Sequence, residues 1–370
     1  MHPENKYPVL GSLLKTFRKT QQRTLWLVVA GLIEAASACS FDIADNLAGW
    51  LGIRFKSALN RFYRLLANRK FDDLQLTKQM LAQFAKRFGK RLLIAIDWTE
   101  WHHDQRILLG SVVADRRAIP VHAAAFHKAD MPRSQNSREN AFVTTLAMLS
   151  RELGLAPVLL CDRGFRRASW LKLLLERKLN FAVRLQEDVY ARPRKNRQRL
   201  LSKMGLQPGQ VLDLGWVDLR GDSAVNTRVI GVWARGTREP WWLATNLEEP
   251  VAKVVAYYDR RMAVEEQIRD TKGCRFGAKL YWTQFRKPAH LARFVILLGM
   301  ALIVWTALGV AAVADDPTLR LPHPTKGPRC SYITIGMRLP GRVLHTAPLT
   351  VANVFALVPK PVLRKFAWLS

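Results

Sequence analysis

The chain has 370 residues, of which 58 are Lys or Arg and 29 are Asp or Glu, so its formal net charge is +29. Such an excess of positive charge repels itself in a compact fold and favours a polyanionic partner, DNA or RNA. With 49% hydrophobic residues and 12 tryptophans, the chain can build two or three hydrophobic cores, which excludes a purely basic tail or a histone-like protein.

The four cysteines, at positions 39, 161, 274 and 330, form no C-x-x-C pair and no zinc-binding spacing. We therefore expect reduced and mostly buried thiols, as in a cytosolic protein, rather than disulfides.

The first 90 residues carry helical apolar spacing, and within them we predict a helix-turn-helix. Ala44–Ala48 forms its first helix, 49–53 a glycine-containing turn, and Lys56–Leu66 its second helix. The exposed face of that second helix carries three candidate DNA-binding cations, Lys56, Arg61 and Arg64. An ordinary helical hairpin with a solvated basic face fits the same pattern equally well, so both interpretations are open.

Beyond Arg91 the apolar period changes from helical to strand-like. In chain order we predict three strands, a helix, a strand, a helix and a strand: Leu92–Asp97, Ile107–Ala114, Ala118–Phe126, Arg138–Leu153, Pro157–Cys161, Ala168–Lys178 and Asn180–Leu185. This is the element order of the ribonuclease-H-like fold. We therefore predict an α/β chain with a ribonuclease-H-like core, a mixed five-stranded sheet flanked by helices.

The predicted domain organisation has five parts. They are a helical DNA-binding domain, the first part of the catalytic core, an inserted β-rich subdomain, the second part of the core and a C-terminal tail, at 1–90, 91–186, 187–247, 248–314 and 315–370.

One stretch in the second part of the core is apolar enough to span a bilayer. Phe294–Ala314 contains no charged residue over 21 positions. Basic residues are spread through the whole chain instead of flanking this stretch on one side. We therefore expect a buried core helix and no membrane partner, with a membrane-anchored factor as the alternative.

A second predicted helix, from about Pro250 to Gly273, carries an unusual set of polar side chains. At 100° per residue, one face within about 80° of arc holds Tyr258, Arg261, Glu265, Arg269 and Lys272. A carboxylate beside three cations and a phenol is costly to bury. Such a face suits phosphate and metal, whereas Glu266 points about 100° away from Glu265.

Two aspartates end apolar strands, Asp97 the strand Leu92–Asp97 and Asp162 the run Pro157–Cys161. If those strands are adjacent and parallel, their carboxylates emerge side by side at one edge of the sheet. Phosphodiester cleavage commonly uses two divalent ions about 3.5–4 Å apart, and Mg²⁺ or Mn²⁺ prefers oxygen ligands. The helix that bears Glu265 can lie across this edge.

These residues resemble a known family. The pattern tyrosine, two residues, arginine, three residues, glutamate, six residues, lysine is met by Tyr258, Arg261, Glu265 and Lys272, after IAIDWTEW around Asp97 and Asp162-Arg163-Gly164-Phe165. Over residues 90–310 the chain resembles the DDE transposases encoded by bacterial insertion sequences, in the group with this signature.

The resemblance implies a function and a set of roles. Asp97, Asp162 and Glu265 would hold two Mg²⁺ or Mn²⁺ ions, and water would nick the transposon end to release a 3′-OH that attacks target DNA. Arg261, Lys272 and Arg269 would grip phosphates of double-stranded DNA, and Tyr258 would hydrogen-bond its backbone. Trp241 and Trp242 would stack a flipped base of a hairpin. A homodimer on DNA, in the bacterial cytoplasm at the nucleoid, is also implied.

Each residue has a simpler interpretation as well. Asp162 fits a turn, Asp97 a loop cap, and Glu265 an intrahelical partner of Arg261 or Arg269; the two tryptophans fit a core. For the whole chain, the alternatives are a nuclease or junction resolvase that cuts without strand transfer, and a non-enzymatic DNA-binding relic of a mobile element.

Overall fold

A computed structural model describes residues 8–102, 104–114, 117–131, 135–193, 197–220, 223–273, 277–320, 322–323, 327–328 and 331–339. Cys274, Cys330 and most of the tail at 315–370 lie outside the described residues. Of the other two cysteines, Cys161 is buried and Cys39 half-buried, and both are free thiols.

Eleven helices are described, together with short 3₁₀ turns that include Arg163–Phe165 and Arg260–Met262. The α-helices are α1 Pro8–Leu14, α2 Lys19–Ala35, α3 Ser40–Leu51, α4 Phe55–Ala67, α5 Asp73–Phe88, α6 Asn136–Glu152, α7 Ala168–Glu176, α8 Val251–Asp259, α9 Ala263–Lys272, α10 Pro288–Asp315 and α11 Tyr332–Met337. Helices α3 and α4, separated by a short turn, correspond to the predicted helix-turn-helix, and both are longer than expected.

The described strands are β1 Leu93–Trp101, β2 Gln105–Ala114, β3 Arg117–His127, β4 Val158–Cys161, β5 Asn180–Leu185, β6 Tyr190–Pro193, β7 Arg199–Leu200, β8 Val211–Arg220, β9 Ala224–Val232, β10 Trp241–Thr245, β11 Pro322–His323 and β12 Gly327–Pro328. All five strands predicted for the core are confirmed, and β1 runs four residues further than expected, to Trp101.

The chain divides into two compact units. The first comprises the described residues of 1–89, 98–130 and 264–339, and the second those of 90–97 and 131–263. Strand β1 passes from the second unit into the first after Asp97. The division differs from the five predicted domains, whose boundaries stay a prediction.

The second unit is built on a mixed sheet with the order β1-β4-β5-β10-β9-β8-β6-β7. The β1–β4 and β4–β5 pairs are parallel, and the later pairs are antiparallel. In the first unit β2 forms an antiparallel pair with β3 and neighbours β1. The chain is thus α/β with a large mixed sheet and flanking helices, compatible with a ribonuclease-H-like core.

The strands of 187–247 extend that sheet, because β10 pairs with β5 on one side and with β9 on the other. The predicted five-stranded sheet therefore has too few strands. Strand pairing across sequence gaps is set by backbone hydrogen bonds, and alternation of side chains does not reveal which edges join.

Helix α10 forms the centre of the first unit, packed against β3, α2 and α11. It is the one helix in the described part of the chain long and apolar enough to span a membrane, and 94% of its most apolar window is buried within the protein. Added Cβ atoms on Gly299 and Gly309 would collide with the carbonyl oxygens of Pro120 and Tyr332, so glycine permits this close packing. The burial agrees with the predicted core helix.

Arg293 ties the N-terminal helices to α10. Its side chain is 9% exposed, and its Nε lies 2.7 Å from Asp73 Oδ1. Its Nη1 donates to the carbonyl oxygens of Leu65 and Leu66 at 2.9 and 2.7 Å. The last carbonyls of a helix lack intrahelical donors, so this arginine satisfies the end of α4 and fixes α4 against the core helix.

A buried histidine generates a prediction about acid stability. His122 on β3 is 8% exposed, and burial lowers its pKa from 6.5 to about 4. Because the unfolded chain takes up the proton first, stability decreases as the pH falls from 6.5 towards 4. The loss should be on the order of 1 kcal/mol at pH 5.5, since one pKa unit corresponds to about 1.4 kcal/mol.

We expect His122→Gln to flatten the dependence of the free energy of unfolding on pH between 7.5 and 5.5, measured by urea denaturation. Glutamine retains a hydrogen-bonding group near Thr77 Oγ1, which lies 3.5 Å from His122 Nδ1, but cannot titrate. An unchanged pH dependence in this variant would contradict the assignment.

Candidate active site

The two aspartates lie at matching positions of adjacent parallel strands in the second unit. Strands β1 and β4 pair from Leu93 with Val158 to Ile96 with Cys161. Asp97 and Asp162 come directly after the last pair. Since neighbouring strands lie about 4.8 Å apart, the two carboxylate-bearing residues emerge side by side, and the predicted adjacency of the strands is confirmed. Asp97 does not end β1, however, which continues to Trp101.

Asp162 also organises the turn that follows it. Its Oδ1 accepts a hydrogen bond from Gly164 N at 2.9 Å and caps the 3₁₀ turn. Phe165 is 1% exposed and packs against Trp170 with ring centroids 5.4 Å apart. The interpretation of Asp162 as a turn residue is correct for Oδ1, and ligation through Oδ2 is compatible with it.

Arg167 anchors this turn to α6. Its Nη1 lies 2.5 Å from Glu139 Oε2, and its Nη2 donates to Asn140 Oδ1 at 2.8 Å. Glu139 is only 4% exposed. A buried, hydrogen-bonded ion pair is strongly directional, so it fixes the backbone that carries Asp162.

Arg261 supplies the counter-charge at the edge that bears the aspartates. Its Nη1 lies 3.3 Å from Asp97 Oδ2, and the two side chains are 11% and 17% exposed. Arg261 also acts on Tyr258: burial raises the pKa of that phenol to about 12, and the positive charges of Arg261 and Arg184 oppose the rise. The cation therefore lies between a carboxylate and a buried hydroxyl.

Tyr258 is 2% exposed, and its ring meets Trp241 edge-on with centroids 5.1 Å apart. The ring therefore packs between α8 and β10, and its hydroxyl is a hydrogen-bonding partner of Arg261. A contact of this hydroxyl with the DNA backbone stays a prediction.

The prediction that one continuous helix presents all five signature residues is wrong. Helix α8 ends at Asp259, a 3₁₀ turn covers Arg260–Met262, and α9 begins at Ala263. Tyr258 and Arg261 lie before the change of unit at residue 264, and the other three lie after it.

Glu265 lies in the first turn of α9, in the first unit. Further along α9, Arg269 Nη1 lies 3.1 Å from the carboxylate of Glu266, and the Arg269 side chain is 72% exposed. Lys272 Nζ donates to Thr99 Oγ1 at 2.6 Å and to the carbonyl oxygen of Glu100. Burial lowers the pKa of Lys272, and the negative charge of Glu100 opposes that effect.

The buried side of α9 carries polar residues that the sequence analysis did not single out. Gln267 and Asp270 are 1% and 7% exposed. Gln267 Oε1 accepts from Ser111 Oγ at 3.2 Å, and Asp270 lies 3.4 Å from Arg117 Nη1 and accepts from Ser331 Oγ at 3.3 Å. Burial raises the pKa of Asp270, opposed mainly by Arg117. Polar residues at helical spacing on the face opposite Glu265 were the available signal.

The two tryptophans proposed for base stacking are in the protein interior. Trp242 is 1% exposed and Trp241 is 9% exposed. The Trp242 ring packs on Gly231, where an added Cβ would lie 2.5 Å from the ring. This burial agrees with the core interpretation of both rings, and their stacking on a flipped base stays a prediction. Trp216 on β8, which is 41% exposed, is the more accessible tryptophan in this region.

Among the N-terminal candidates, Lys56, Arg61 and Arg64 are all exposed on α4, while Ala58, Phe62 and Leu65 are buried. The basic face predicted for this helix is therefore present at the surface. Exposure alone does not separate a DNA-binding face from a solvated one.

The donor chemistry of the aspartate edge fits a hard divalent cation, since it offers two carboxylates at one register. In the described part of the chain, no group of three or more His, Cys, Asp and Glu residues is arranged to hold a metal ion. The convergence of Asp97, Asp162 and Glu265 on two ions therefore stays a prediction.

Comparison with known families decides the class of the chain. Residues 88–304, more than half of the sequence, match the transposase DDE domain family. The chain belongs to this family. No curated protein sequence matches it. The family assignment makes the chain a transposase that acts on DNA, and DDE transposases generally use divalent metal ions.

The position of Arg261 in this transposase predicts a charge-specific effect on stability. Arg261→Gln should lower the free energy of unfolding by about 1–3 kcal/mol, because Asp97 loses a partly buried ionic hydrogen bond. The matched control is Arg166→Gln. Arg166 lies 3.9 Å from Asp188, with side chains 38% and 68% exposed, and its loss should cost less than about 0.5 kcal/mol.

Urea denaturation at neutral pH measures both effects. In an Asp97→Asn background, Arg261→Gln should cost clearly less than in the wild type, because the charge it balances is already removed. Equal costs in the two backgrounds would show that Arg261 stabilises the fold through packing and not through Asp97.

Proposed function

We propose that this transposase cleaves DNA at the ends of a bacterial insertion sequence and joins the released 3′ end to target DNA. The observation that carries the proposal is the matched position of Asp97 and Asp162 on adjacent parallel strands. Two carboxylates at one sheet edge, in a chain of net charge +29, suit a metal-dependent reaction on a polyanion.

Asp97, Asp162 and Glu265 are the proposed ligands of two Mg²⁺ or Mn²⁺ ions. Bound divalent ions would stabilise the charge that develops on the phosphate and promote formation of the attacking oxygen nucleophile. Asp97 and Asp162 supply oxygen ligands from rigid strand positions, and the Gly164 hydrogen bond holds the Asp162 carboxylate in orientation. Arg261 balances the charge of Asp97, which keeps the neighbouring carboxylates tolerable when no cation is present.

Lys272, Arg269 and Arg261 are proposed to bind phosphates near the reacting bond. Lys272 uses two acceptors, Thr99 Oγ1 and the Glu100 carbonyl. An ammonium group is a compact positive charge that suits a phosphate oxygen. Arg269 extends a largely exposed guanidinium from the same helix. Lys56, Arg61 and Arg64 are proposed to bind the transposon end, by a homodimer that acts in the bacterial cytoplasm at the nucleoid.

The decisive test replaces each carboxylate by its isosteric amide. We expect Asp97→Asn, Asp162→Asn and Glu265→Gln each to reduce Mg²⁺-dependent cleavage of a transposon-end duplex by at least about 10³-fold, with end binding largely intact. Removing one ligand of a metal pair abolishes most of the electrostatic stabilisation it gives. The readout is single-turnover cleavage of labelled DNA.

Glu266→Gln is the matched control, since Glu266 is the next carboxylate on α9 and binds Arg269. It should retain cleavage within about tenfold, an activation difference of about 1.4 kcal/mol. Normal cleavage in any of the three amide variants would remove that residue from the proposed site.

The reaction products separate the proposal from its alternatives. A transposase joins the labelled 3′ end to a second duplex, giving a product longer than either substrate, whereas a nuclease or resolvase yields only shorter fragments. A DNA-binding relic would bind ends without any Mg²⁺-dependent product.

A further inference from the structure

Two N-terminal helices begin with charges that oppose their own dipoles. Helix α2 has Arg18 as N-cap residue and Lys19 as its first residue, and α4 has Arg54 as N-cap residue and Lys56 in its first turn. Neither N-cap side chain makes a capping hydrogen bond, and neither first turn contains an acid. The positive end of a helix normally attracts acids and repels cations.

Helix α5 in the same unit shows the ordinary arrangement. Its N-cap Asp72 accepts hydrogen bonds from Leu74 N and Gln75 N, and Asp73 lies in the first turn. Helices α7 and α10 also have cationic N-cap residues, Arg167 and Lys287, and no acid in the first turn, although Arg167 is paired with Glu139. An anion bound at such a start would both cap the helix and neutralise the cations.

A pocket of about 390 Å³ lies beside these helix starts, within the first unit. Thr20, Arg23 and Thr24 of α2 line it, together with Arg61 of α4, Leu51 at the end of α3 and Ile53 of the turn before α4. Thr20 is the second residue of α2, and Ile53 immediately precedes the N-cap residue of α4. The pocket thus combines two guanidinium groups from different helices with the positive end of α2.

The lining identifies the chemistry of the ligand. Arg23 and Arg61 are both exposed, and arginine presents a planar set of donors that matches phosphate oxygens. Thr24 Oγ1 donates to the Thr20 carbonyl at 3.0 Å, whereas the Thr20 hydroxyl lies at the helix start itself. Leu51 and Ile53 give the pocket an apolar wall of the kind that packs against a sugar.

We propose that this pocket binds one backbone phosphate of double-stranded DNA through Arg23, Arg61 and the first turn of α2. Its identification as a DNA site rests on the proposed function, while phosphate binding itself does not. Phosphate contacts fix the register of a protein on the duplex without reading sequence. The pocket would position the N-terminal helices on DNA while the exposed face of α4 contacts the neighbouring backbone or groove.

The test uses the full chain with Arg23→Gln and Arg61→Gln combined. The matched control is Lys86→Gln with Arg87→Gln, which removes two charges from exposed residues in the last turn of α5. Two probes are used: inorganic phosphate against chloride at equal ionic strength, followed by thermal melting, and a non-specific duplex whose affinity is measured over a series of salt concentrations.

We expect phosphate to raise the melting temperature of the wild type and the control, but not of the double variant. The slope of log affinity against log salt should fall by about 0.9 in the double variant relative to the control, corresponding to one lost phosphate contact. Retained phosphate stabilisation in the double variant, or a salt slope equal to that of the control, overturns the proposal.

The phosphate probe, compared with the cleavage assay, also distinguishes failure of the pocket proposal from failure of the enzymatic proposal. If the wild type cleaves no DNA but phosphate stabilises it through Arg23 and Arg61, the pocket stands and the enzymatic proposal fails. If cleavage requires Asp97, Asp162 and Glu265 while phosphate has no effect on the wild type, the pocket fails and the enzymatic proposal stands. Arg23→Lys with Arg61→Lys, which keeps both charges, should restore most of the salt slope.

Discussion

The charge arrangement at the ends of the β1–β4 pair is the constraint on which the candidate site depends. The parallel register places Asp97 and Asp162 next to one another, and like charges at such a spacing repel strongly unless a cation lies nearby. Arg261 supplies that cation at 3.3 Å from Asp97. Its own position depends on the 3₁₀ turn after α8, and on Tyr258, which is packed against Trp241. The core therefore determines how the carboxylates are compensated.

The elements around this edge were largely predictable from the sequence, and their geometry only in part. Uninterrupted apolar runs such as Val158–Cys161 are typical of strands buried on both faces; they placed Asp162 correctly after its strand, whereas Asp97 lies within β1. The break between α8 and α9 carried no signal, because residues 258–265 contain neither glycine nor proline. Burial of Trp242 was equally hidden, since its fit depends on Gly231 of the neighbouring strand, and pairing between distant segments is a tertiary property.

The first unit shows how an apolar helix can position a charged surface. Helix α10 is buried, yet its Arg293 reaches the carbonyls at the end of α4 and the carboxylate of Asp73 at the start of α5. A buried arginine that satisfies several acceptors is costly to displace. Arg293 therefore fixes α4, which carries the basic face, to the core helix of the first unit.

Two regions of this transposase hold charges that folding alone would not favour: the aspartates that emerge together from β1 and β4, and the cationic starts of α2 and α4. Where only stability is at stake, the start of a helix usually carries acids, and α5 follows this preference with Asp72 and Asp73. Departures from such rules concentrate at functional sites. The signs of the two departures are complementary, since one gathers negative charge suited to divalent cations and the other gathers positive charge suited to phosphate. A metal-dependent reaction on a polyanion requires both, and no basic structural protein requires the first.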